Sequence, residues 1–493
     1  MIVMDAVRAE NLSIYGYGKP TTPNLERHAD RFAIYENAIT AAPWTLPSTT
    51  SLFTGTYSST HRLVIDGDRL SGRFTTLAEL LKDDGYRTAK VTGTVPYVSD
   101  FSGLDRGFGH AFEPPPPAVR RWWRTLKRRR VADRPNAMRE GLDLGLDLEE
   151  EHTVTAGNGL TARARYWMTG LMDVGADQCL REARRIWKEP GEEPRFIYVH
   201  LQETHAPYRP PHRFRRRFIR PELHRRNFGA INQRPNPHDV GIIKQSAEEY
   251  EILTGLYDGC IAYLDDRIGA LLDDLARTPE FDDSLIVVTA DHGDCLGRHG
   301  VLGHQFVVYD ALTHIPWLVK WPADIGVHGR RKELVQNTDF APTVCALLGV
   351  EPRHEYEGID ILNGERAAAI SELLKPFGQS AVKQRLHERA PHWRRAALAA
   401  RSRSHKLIVY SNDQPDEFFD LAQDPTESVN LLERGGLSGM RARAHEALCA
   451  EVESRRSIWR EAAAEIDRRV FEGDENEIDP EVEERLRALG YLD

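Results

Sequence analysis

Residues 284–294 read Ser-Leu-Ile-Val-Val-Thr-Ala-Asp-His-Gly-Asp, a short apolar run followed at once by a polar turn. The run is β-branched and does not alternate with polar residues, which is typical of a strand in a parallel sheet covered on both faces. Asp291 and His292 follow this strand, and Gly293 permits a tight turn. An adjacent aspartate and histidine can offer one oxygen and one nitrogen ligand to a divalent metal. A purely structural turn would explain the triplet as well.

Three more runs have the same strand pattern, and helical patterns lie between them. The strands are predicted at 2–4, 195–201 and 315–319, and the helices include 76–81 and 250–275. Alternating strands and helices of this kind form an α/β sandwich, in which a mostly parallel central sheet is covered by helices. The fold class is therefore predicted to be α/β.

Several polar residues follow the predicted strands directly. Asp5, His205 and the pair Asp291-His292 all lie at or just after strand ends. Ligands of open α/β sheets bind at the carboxyl ends of the strands. We therefore group these side chains as one candidate site.

The chain has 493 residues, of which 41% are hydrophobic, and this length allows one large α/β domain and a smaller one. We predict a catalytic domain at 1–365, with insertions at about 114–159 and 209–237. A C-terminal subdomain is predicted at 366–493, with a short antiparallel sheet and a helical tail. The net charge of −10 does not favour nucleic acid as a partner.

The cysteines and the hydrophobic runs bear on the location of the protein. Five cysteines are scattered at no paired or metal-ligand spacing, which argues against a disulfide framework. No signal peptide or run long enough to span a bilayer is visible, although the first strand is short and the true start could lie upstream. The expected location is the cytoplasm.

The segment 42–55 has the pattern of a loop that enters a short helix. Pro47 suits a first helical turn, and Gly55 suits a C-terminal cap. Thr45 would then lie at the helix N-terminus, where free N–H groups and the helix dipole stabilise an alkoxide or a bound oxyanion. Alternatively, Thr45 only caps the helix, a frequent role for threonine.

Several ordered motifs together resemble the sulfatase family of the alkaline phosphatase superfamily. They cover about residues 1 to 432 and lie at 5–8, 15–16, 21–25, 45–55, 291–300, 338–349 and 419–431. The resemblance implies an alkaline-phosphatase-like α/β sandwich with a small C-terminal subdomain. It also implies a metal-dependent hydrolase of phosphoric or sulfuric esters, or a phosphotransferase.

The resemblance further implies a divalent metal centre, and it places four residues as ligands: Asp5, Thr45, Asp291 and His292. Thr45 would also be the nucleophile, attacking phosphorus or sulfur in line, with the ion lowering the pKa of its hydroxyl. The ion could be Ca²⁺, Mn²⁺, Zn²⁺ or Mg²⁺.

Three further histidines correspond to substrate-contacting positions of the family. His205 matches the histidine that contacts the transferred group. His304 falls near a position where many sulfatases have lysine, and it would neutralise an oxygen of that group or protonate the leaving oxygen. His299 is a candidate substrate-binding residue, with a purely structural role as the alternative.

The chain departs from the family at the nucleophile. Sulfatases use Cys-x-Pro-x-Arg, with the cysteine converted to formylglycine, whereas this chain has Thr45, Pro47 and Thr49. Formylglycine releases sulfate by collapsing to a carbonyl, which threonine cannot do. Its ester intermediate must be attacked by water or an acceptor alcohol at the central atom, and phosphorus tolerates this well. We therefore expect phosphate esters, as monoesters or diesters, to be preferred over sulfate esters.

Two other readings of the function remain open. One is an arylsulfatase-like sulfuric ester hydrolase that works without formylglycine. The other is an inactive relative that only binds anionic ligands, although such a protein has no chemical need for an intact set of Asp5, Thr45, Asp291 and His292.

Both insertions contain clusters of arginine. The segment 209–226 could be a cationic lid that recruits an anionic substrate such as a lipid headgroup or a glycan, or it could be an ordinary solvated surface. The segment 120–130 combines two tryptophans with arginines, as interfacial segments do, which makes peripheral membrane contact a hypothesis.

Overall fold

The structure is a computed structural model of the chain. It describes residues 1–65, 67–93, 97–114, 174–239, 241, 243–304, 306–374, 393, 395–433 and 435–471. Almost all of the predicted insertion at 114–159, including the segment 120–130, lies outside the described residues. The hypothesis of membrane contact through that segment therefore stays a prediction.

An eight-stranded sheet forms the centre of the fold, in the order β4-β3-β5-β1-β6-β7-β2-β8. Its strands are β1 (Ile2–Met4), β2 (Ala33–Ile39), β3 (Arg87–Thr92), β4 (His110–Phe112), β5 (Arg195–Leu201), β6 (Ile286–Thr289), β7 (Trp317–Lys320) and β8 (Gly329–Gln336). All neighbours are parallel except β7, which runs antiparallel to β6 and β2. The mostly parallel α/β sheet is therefore confirmed.

The direction of β7 differs from the expectation for residues 315–319. The apolar pattern of that run predicts one more strand of a parallel sheet. The strand instead pairs antiparallel with β6, from Ile286 opposite Lys320 to Thr289 opposite Trp317. The physical reason is that a continuous apolar run reports burial on both faces of a sheet, and this burial does not depend on strand direction.

Helices cover the sheet, and two of them begin with a capping box. They are α1 (Pro23–Arg27), α2 (Thr45–Thr54), α3 (Ser58–His61), α4 (Leu77–Asp83), α5 (Ala176–Trp187), α6 (Pro235–Asp239), α7 (Ala247–Leu275), α8 (Asp310–Thr313), α9 (Phe340–Leu348) and α10 (Gly439–Phe471). Capping boxes start α4, through Thr76 and Glu79, and α7, through Ser246 and Glu249. No helix of the described residues is both long and apolar enough to cross a membrane.

A second, antiparallel sheet lies in the C-terminal part of the chain, in the order β12-β11-β10-β9. Its strands are β9 (Ala369–Leu373), β10 (Ala397–Arg401), β11 (His405–Tyr410) and β12 (Glu417–Asp420). The short antiparallel sheet predicted for the C-terminal part of the chain is thus confirmed. The core under this sheet mixes Trp459 of α10 with Tyr57 and Ile65 from the N-terminal part. The division at residue 366 stays a prediction.

The centre of the large sheet fixes the position of the candidate site. Strands β5, β1 and β6 are adjacent and parallel, with Val3 of β1 opposite both His200 of β5 and Thr289 of β6. Their carboxyl ends therefore open at the same edge. Asp5 follows β1 directly, and its N–H donates to the Leu201 carbonyl at 2.8 Å.

Candidate active site

Three buried side chains converge at this edge of the sheet. Asp5, Asp291 and His292 each offer one ligand atom, and these atoms all lie within 4.8 Å of one another. His292 Nε2 lies 3.7 Å from Asp5 Oδ1 and 3.5 Å from Asp291 Oδ2. Two carboxylates and an imidazole with this spacing form a set of ligands suited to a divalent cation.

The turn after β6 sets the orientation of His292. The ring Nδ1–H donates to the Gly293 carbonyl at 2.7 Å, so in the neutral ring Nε2 keeps its lone pair for a metal. A Cβ at Gly293 would lie 2.1 Å from the Ala311 carbonyl oxygen. Only glycine therefore lets this turn approach the backbone so closely, and the predicted role of Gly293 in a tight turn has a steric cause.

The electrostatics of the two aspartates favour a bound cation. Neither carboxylate oxygen of Asp5 has a hydrogen-bond partner within the described residues, and burial followed by the Asp291 charge raises the pKa of Asp5. Burial also acts to raise the pKa of Asp291, but His292, His200 and backbone donors outweigh it and lower that pKa. Asp291 Oδ1 accepts from the Ala6 and His292 N–H groups, whereas Oδ2 has no hydrogen-bond partner. A cation would satisfy the unpartnered oxygens, so these residues fit one.

Thr45 is the first residue of α2, and its side chain points to the same cluster. Its Oγ1 lies 3.2 Å from His292 Nε2. The residue before it, Trp44, occupies the N-cap position, and no side-chain hydrogen bond caps the helix. The alternative in which Thr45 only caps the helix is therefore not what the structure shows.

Hydrogen bonds attach the start of α2 to the metal-ligand turn. Ser48 Oγ donates to the Asp291 carbonyl at 2.6 Å, and Asn337 Nδ2 donates to the Ser48 carbonyl at 3.0 Å. Gly55 ends the helix in the left-handed conformation, with φ of 63°, as its C-cap position requires. These contacts hold Thr45 at a fixed distance from His292.

Two of the predicted histidines lie beside the same cluster. His304 stacks on His292 with ring centroids 4.5 Å apart, and His205 meets His304 edge-on at 5.0 Å. The His205 Nδ1–H donates to the Ala206 carbonyl at 2.7 Å, and burial lowers the pKa of His205 to about 4. His205 is therefore neutral near pH 7, and its Nε2 lone pair can accept a hydrogen bond.

His299 occupies different surroundings. Its ring stacks on Tyr309 with centroids 3.6 Å apart, and the Tyr309 hydroxyl donates to Glu417 of β12 at 2.7 Å. Burial, followed by the Lys406 and Arg298 charges, lowers the pKa of His299 to about 4. None of its ring contacts among the described residues reaches the cluster around His292, which matches the structural alternative for this histidine.

His200 also lies at this cluster, although no motif in the sequence indicates it. His200 is fully buried, and its Nε2 lies 3.8 Å from Asp5 Oδ2 and 3.7 Å from Asp291 Oδ2. Its Nδ1 lies 2.8 Å from the Tyr198 hydroxyl. The available signal was a histidine inside an otherwise apolar strand, five residues before His205.

Some arginines of the insertion at 209–237 are engaged with α7. Three of them form ion pairs with acidic residues of that helix, namely Arg213 with Asp266, Arg220 with Glu251, and Arg226 with Glu248. Arg215 is buried, with 5% of its surface exposed. Arg216, Arg217 and Arg225 are exposed and form no ion pair within the described residues. These three remain as candidates for recruiting an anion.

The end of this insertion packs on the loop that carries His304. A Cβ at Gly303 would lie 2.9 Å from the ring of Pro235. Asp239 accepts from the Leu302 N–H at 2.8 Å and contacts His238 Nδ1 at 2.9 Å. The position of His304 thus depends on residues at the end of the insertion.

Comparison with known proteins agrees with the geometry. The profile of the sulfatase family matches residues 1–350, and a profile described as N-sulphoglucosamine sulphohydrolase, C-terminal, matches residues 297–454. An uncharacterized sulfatase, YidJ of Escherichia coli, is 23% identical over 93% of this chain and 88% of its own length. A choline-sulfatase of Rhizobium meliloti is 25% identical over 83% of this chain and 77% of its own length.

A solved structure shows the same fold. It is a phosphonate monoester hydrolase of Agrobacterium radiobacter, with a TM-score of 0.66, 20% identity and coverage of 94% of this chain and 95% of that one. The relatives therefore include both sulfatases and a phosphonate hydrolase. The sulfatase profile alone spans most of the chain. The chain therefore belongs to the sulfatase family of the alkaline phosphatase superfamily, and it is an ester hydrolase.

Proposed function

We propose that this enzyme hydrolyses phosphate esters, with Thr45 as the nucleophile. The observation that carries the proposal is the 3.2 Å approach of Thr45 Oγ1 to His292 Nε2, beside two buried carboxylates. The chain has a hydroxyl where the family's sulfatases have a modifiable cysteine, and Thr49 replaces the arginine of that motif.

Four residues would hold a divalent ion: Asp5, Thr45, Asp291 and His292. Such an ion supplies positive charge that favours the alkoxide form of a hydroxyl and offsets charge on the transferred oxygens. The imidazole favours Zn²⁺ or Mn²⁺ over Ca²⁺ in this set. The superfamily typically uses divalent metals.

The remaining residues bind and orient the transferred group. Thr45 lies at the N-terminus of α2, where free N–H groups and the helix dipole favour an oxyanion. His205 is neutral and can accept a hydrogen bond through Nε2, while His304 stacks between His205 and His292. We assign His304 to protonate the leaving oxygen and His205 to contact an oxygen of the transferred group.

The chemistry of threonine supports phosphorus as the central atom. A threonine ester cannot release its group by collapsing to a carbonyl, so water or an acceptor alcohol must attack the central atom. Phosphate monoesters and diesters react in this way through a covalent intermediate. An acceptor alcohol in place of water would make the enzyme a phosphotransferase, with the same residues in the same roles.

Sulfate ester hydrolysis is the second candidate function. It is favoured by the sulfohydrolase C-terminal profile and by the similarity to a choline-sulfatase. The two candidates share the site and differ only in the central atom of the substrate.

A matched panel of nitrophenyl substrates separates the two candidates. Purified enzyme, loaded in turn with Zn²⁺ and Mn²⁺, is assayed against a phosphate monoester, a phosphate diester, a phosphonate monoester and a sulfate monoester. We expect kcat/KM for at least one phosphorus ester to exceed that for the sulfate by about tenfold or more, a difference of ~1.4 kcal/mol in transition-state binding. Efficient sulfate hydrolysis without phosphoester hydrolysis would establish the second candidate instead.

A further inference from the structure

His304 follows a loop that closes on itself. The loop leaves the turn after β6 at Cys295, whose N–H donates to the Gly303 carbonyl at 2.9 Å. The chain therefore returns to the same turn, where the His304 ring stacks on His292 with ring centroids 4.5 Å apart. The position of His304 depends on how the outer side of this loop is held.

Asp239 holds the outer side of the loop. Its Oδ1 accepts from the N–H of Leu302, two residues before His304, at 2.8 Å, and it contacts Nδ1 of His238 at 2.9 Å. Asp239 is buried, and burial raises its pKa to about 6, although His238 and the Leu302 N–H act to lower it. The carboxylate is therefore ionised in weakly alkaline buffer, and an ionised acceptor binds a backbone N–H more strongly than a neutral one.

His238 connects Asp239 to the long helix α7. Its Nε2 contacts the hydroxyl of Tyr250, which lies near the start of that helix. The Tyr250 ring also packs against the loop itself, since a Cβ at Gly297 would lie 2.1 Å from a ring carbon. Helix α7 thus supports the loop directly and supports the Asp239 carboxylate through His238.

Trp393 adds a contact from the C-terminal part of the chain. Its Nε1–H donates to the Asp239 carbonyl at 3.0 Å, and its ring stacks on Phe306 with ring centroids 5.5 Å apart. Phe306 lies two residues after His304, and both Phe306 and Trp393 are buried. The chain is therefore held on either side of His304, by Asp239 and by Trp393, and these two residues are joined by a hydrogen bond.

We propose that Asp239 is a positioning residue for His304, and that His238 and Trp393 keep Asp239 in place. This inference rests on the proposed function, in which His304 protonates the leaving oxygen. A proton donor acts only within hydrogen-bond reach of its target, and a displacement of about 1 Å can lower a rate about 100-fold. Residues at the end of the insertion and in the C-terminal part of the chain thus determine how well the enzyme expels a basic leaving group.

The leaving group of the substrate reveals whether a proton donor is in place. Nitrophenolate leaves as a stable anion, whereas phenolate is more basic and gains more from a proton in the transition state. The test compares kcat/KM for the nitrophenyl and the phenyl ester of whichever acid the enzyme hydrolyses, with full-length, metal-loaded protein in weakly alkaline buffer. Both esters have the same central atom, so the comparison does not depend on whether that atom is phosphorus or sulfur.

Asp239→Ala should lower kcat/KM about 30-fold or more on the phenyl ester and less than about threefold on the nitrophenyl ester. Asp239→Asn keeps an oxygen acceptor for the Leu302 N–H and should stay within about threefold of the wild type on both esters. Trp393→Phe keeps a ring against Phe306 but loses the N–H donor, and it should lower the value for the phenyl ester alone, by about fivefold. Arg213→Gln, which breaks an exposed ion pair of the same insertion, should leave both values unchanged.

His304→Gln provides the reference for these variants. It should lower kcat/KM on the phenyl ester about 100-fold or more, with a smaller loss on the nitrophenyl ester. Adding Asp239→Ala to His304→Gln should cost less than about threefold further, because two residues that act through one proton donor do not have additive effects.

Equal losses on the two esters in Asp239→Ala would indicate a purely structural role and overturn the proposal, and so would an additive loss in the double variant. If circular dichroism and metal analysis show that Asp239→Ala is not folded and loaded, Trp393→Phe decides by the same criterion. A selective loss in His304→Gln without one in Asp239→Ala would overturn this inference alone. Equal losses on the two esters in His304→Gln would overturn the proposed role of His304, and this inference with it.

Discussion

The Thr45 hydroxyl oxygen lies 3.2 Å from Nε2 of His292, although 247 positions separate the two residues in the sequence. One begins α2, and the other belongs to the turn after β6. The turn and the helix are joined directly, because Ser48 Oγ donates to the Asp291 carbonyl at 2.6 Å. The proposed nucleophile and the candidate metal ligands are thus linked by a direct hydrogen bond between a helix and a strand end.

Asp291→Ala should lose both metal and activity. Asp291 Oδ2 is one of the unpartnered buried oxygens, and the variant removes a ligand together with the acceptor of two backbone N–H groups. We expect less than about one tenth of the wild-type metal per chain, measured by plasma mass spectrometry after dialysis. Asp239→Asn is the matched control, a buried aspartate outside the cluster that should keep its metal. Full metal occupancy in Asp291→Ala would contradict the assignment.

His61 should make the metal-free protein sensitive to acid. Burial lowers the pKa of His61 to about 3, and its Nδ1 accepts from the Leu63 N–H at 3.0 Å. The folded-state pKa lies below the unfolded one, so this contribution to stability is full above pH 6.5 and is lost as the pH falls. The slope is about 1.4 kcal/mol per pH unit between those two values.

The comparison that isolates this effect is wild type against His61→Gln. Urea unfolding of the metal-free chains at pH 7, 6 and 5 should show the stability advantage of the wild type shrinking at each step. Parallel pH dependence of the two proteins would mean that His61 is not responsible.

Neutralising Arg216 and Arg217 should weaken the binding of large anionic substrates. Both side chains are exposed and form no ion pair within the described residues. Arg215 is buried, so its substitution would affect folding rather than substrate binding. The double variant to glutamine should raise KM about threefold or more at low salt with kcat unchanged, and 0.5 M salt should abolish the difference. The control is Arg213→Gln with Arg226→Gln, which removes two paired arginines. An unchanged KM would favour an ordinary solvated surface.

Arg455 should be a major contributor to the stability of the C-terminal helix. It donates to Glu357 at 2.8 Å and to Glu372 at 3.2 Å, and its guanidinium lies 4.1 Å from the centroid of the Tyr57 ring. Arg455→Met leaves the buried Glu372 with its hydrogen bonds from Ser59 but without its ion-pair partner, which should cost about 3 kcal/mol.

Arg456 offers the matched control one residue later. It forms an exposed pair with Glu453 on the same helix. Arg456→Met should therefore change the free energy of unfolding by less than about 0.5 kcal/mol. If the two substitutions change the free energy of unfolding equally, the buried contacts of Arg455 contribute no more to stability than the exposed pair of Arg456.

The sequence was sufficient to predict the class of fold. It was also sufficient to predict that Asp5 lies close to Asp291 and His292. The reason is local: each residue directly follows a strand with a clear apolar pattern, and parallel strands end at the same edge of a sheet. Both ends of α2 could be predicted as well, because Pro47 suits the first turn of a helix and Gly55 suits its C-terminal cap.

Other features depend on pairing that no local pattern reports. The position of His200 beside the two aspartates follows from its register opposite Val3, and in the sequence His200 looks like one more buried residue of the strand. The direction of β7 cannot be predicted from its sequence, because an apolar run that is buried on both faces of a sheet has the same pattern in either direction. The ion pairs of Arg213 and Arg220 depend on where α7 packs, so the sequence alone does not tell which arginines of the insertion are paired.

The turnover of Thr45 variants tests the central claim most directly. With Zn²⁺ or Mn²⁺ at saturation, and metal content measured for each protein, Thr45→Ala should lower kcat on the best phosphoester by at least roughly 10³-fold. Thr45→Ser should stay within about tenfold of the wild type, because the attacking oxygen is preserved. A Thr45→Ala variant that turns over at the wild-type rate would contradict the assignment of Thr45 as the nucleophile.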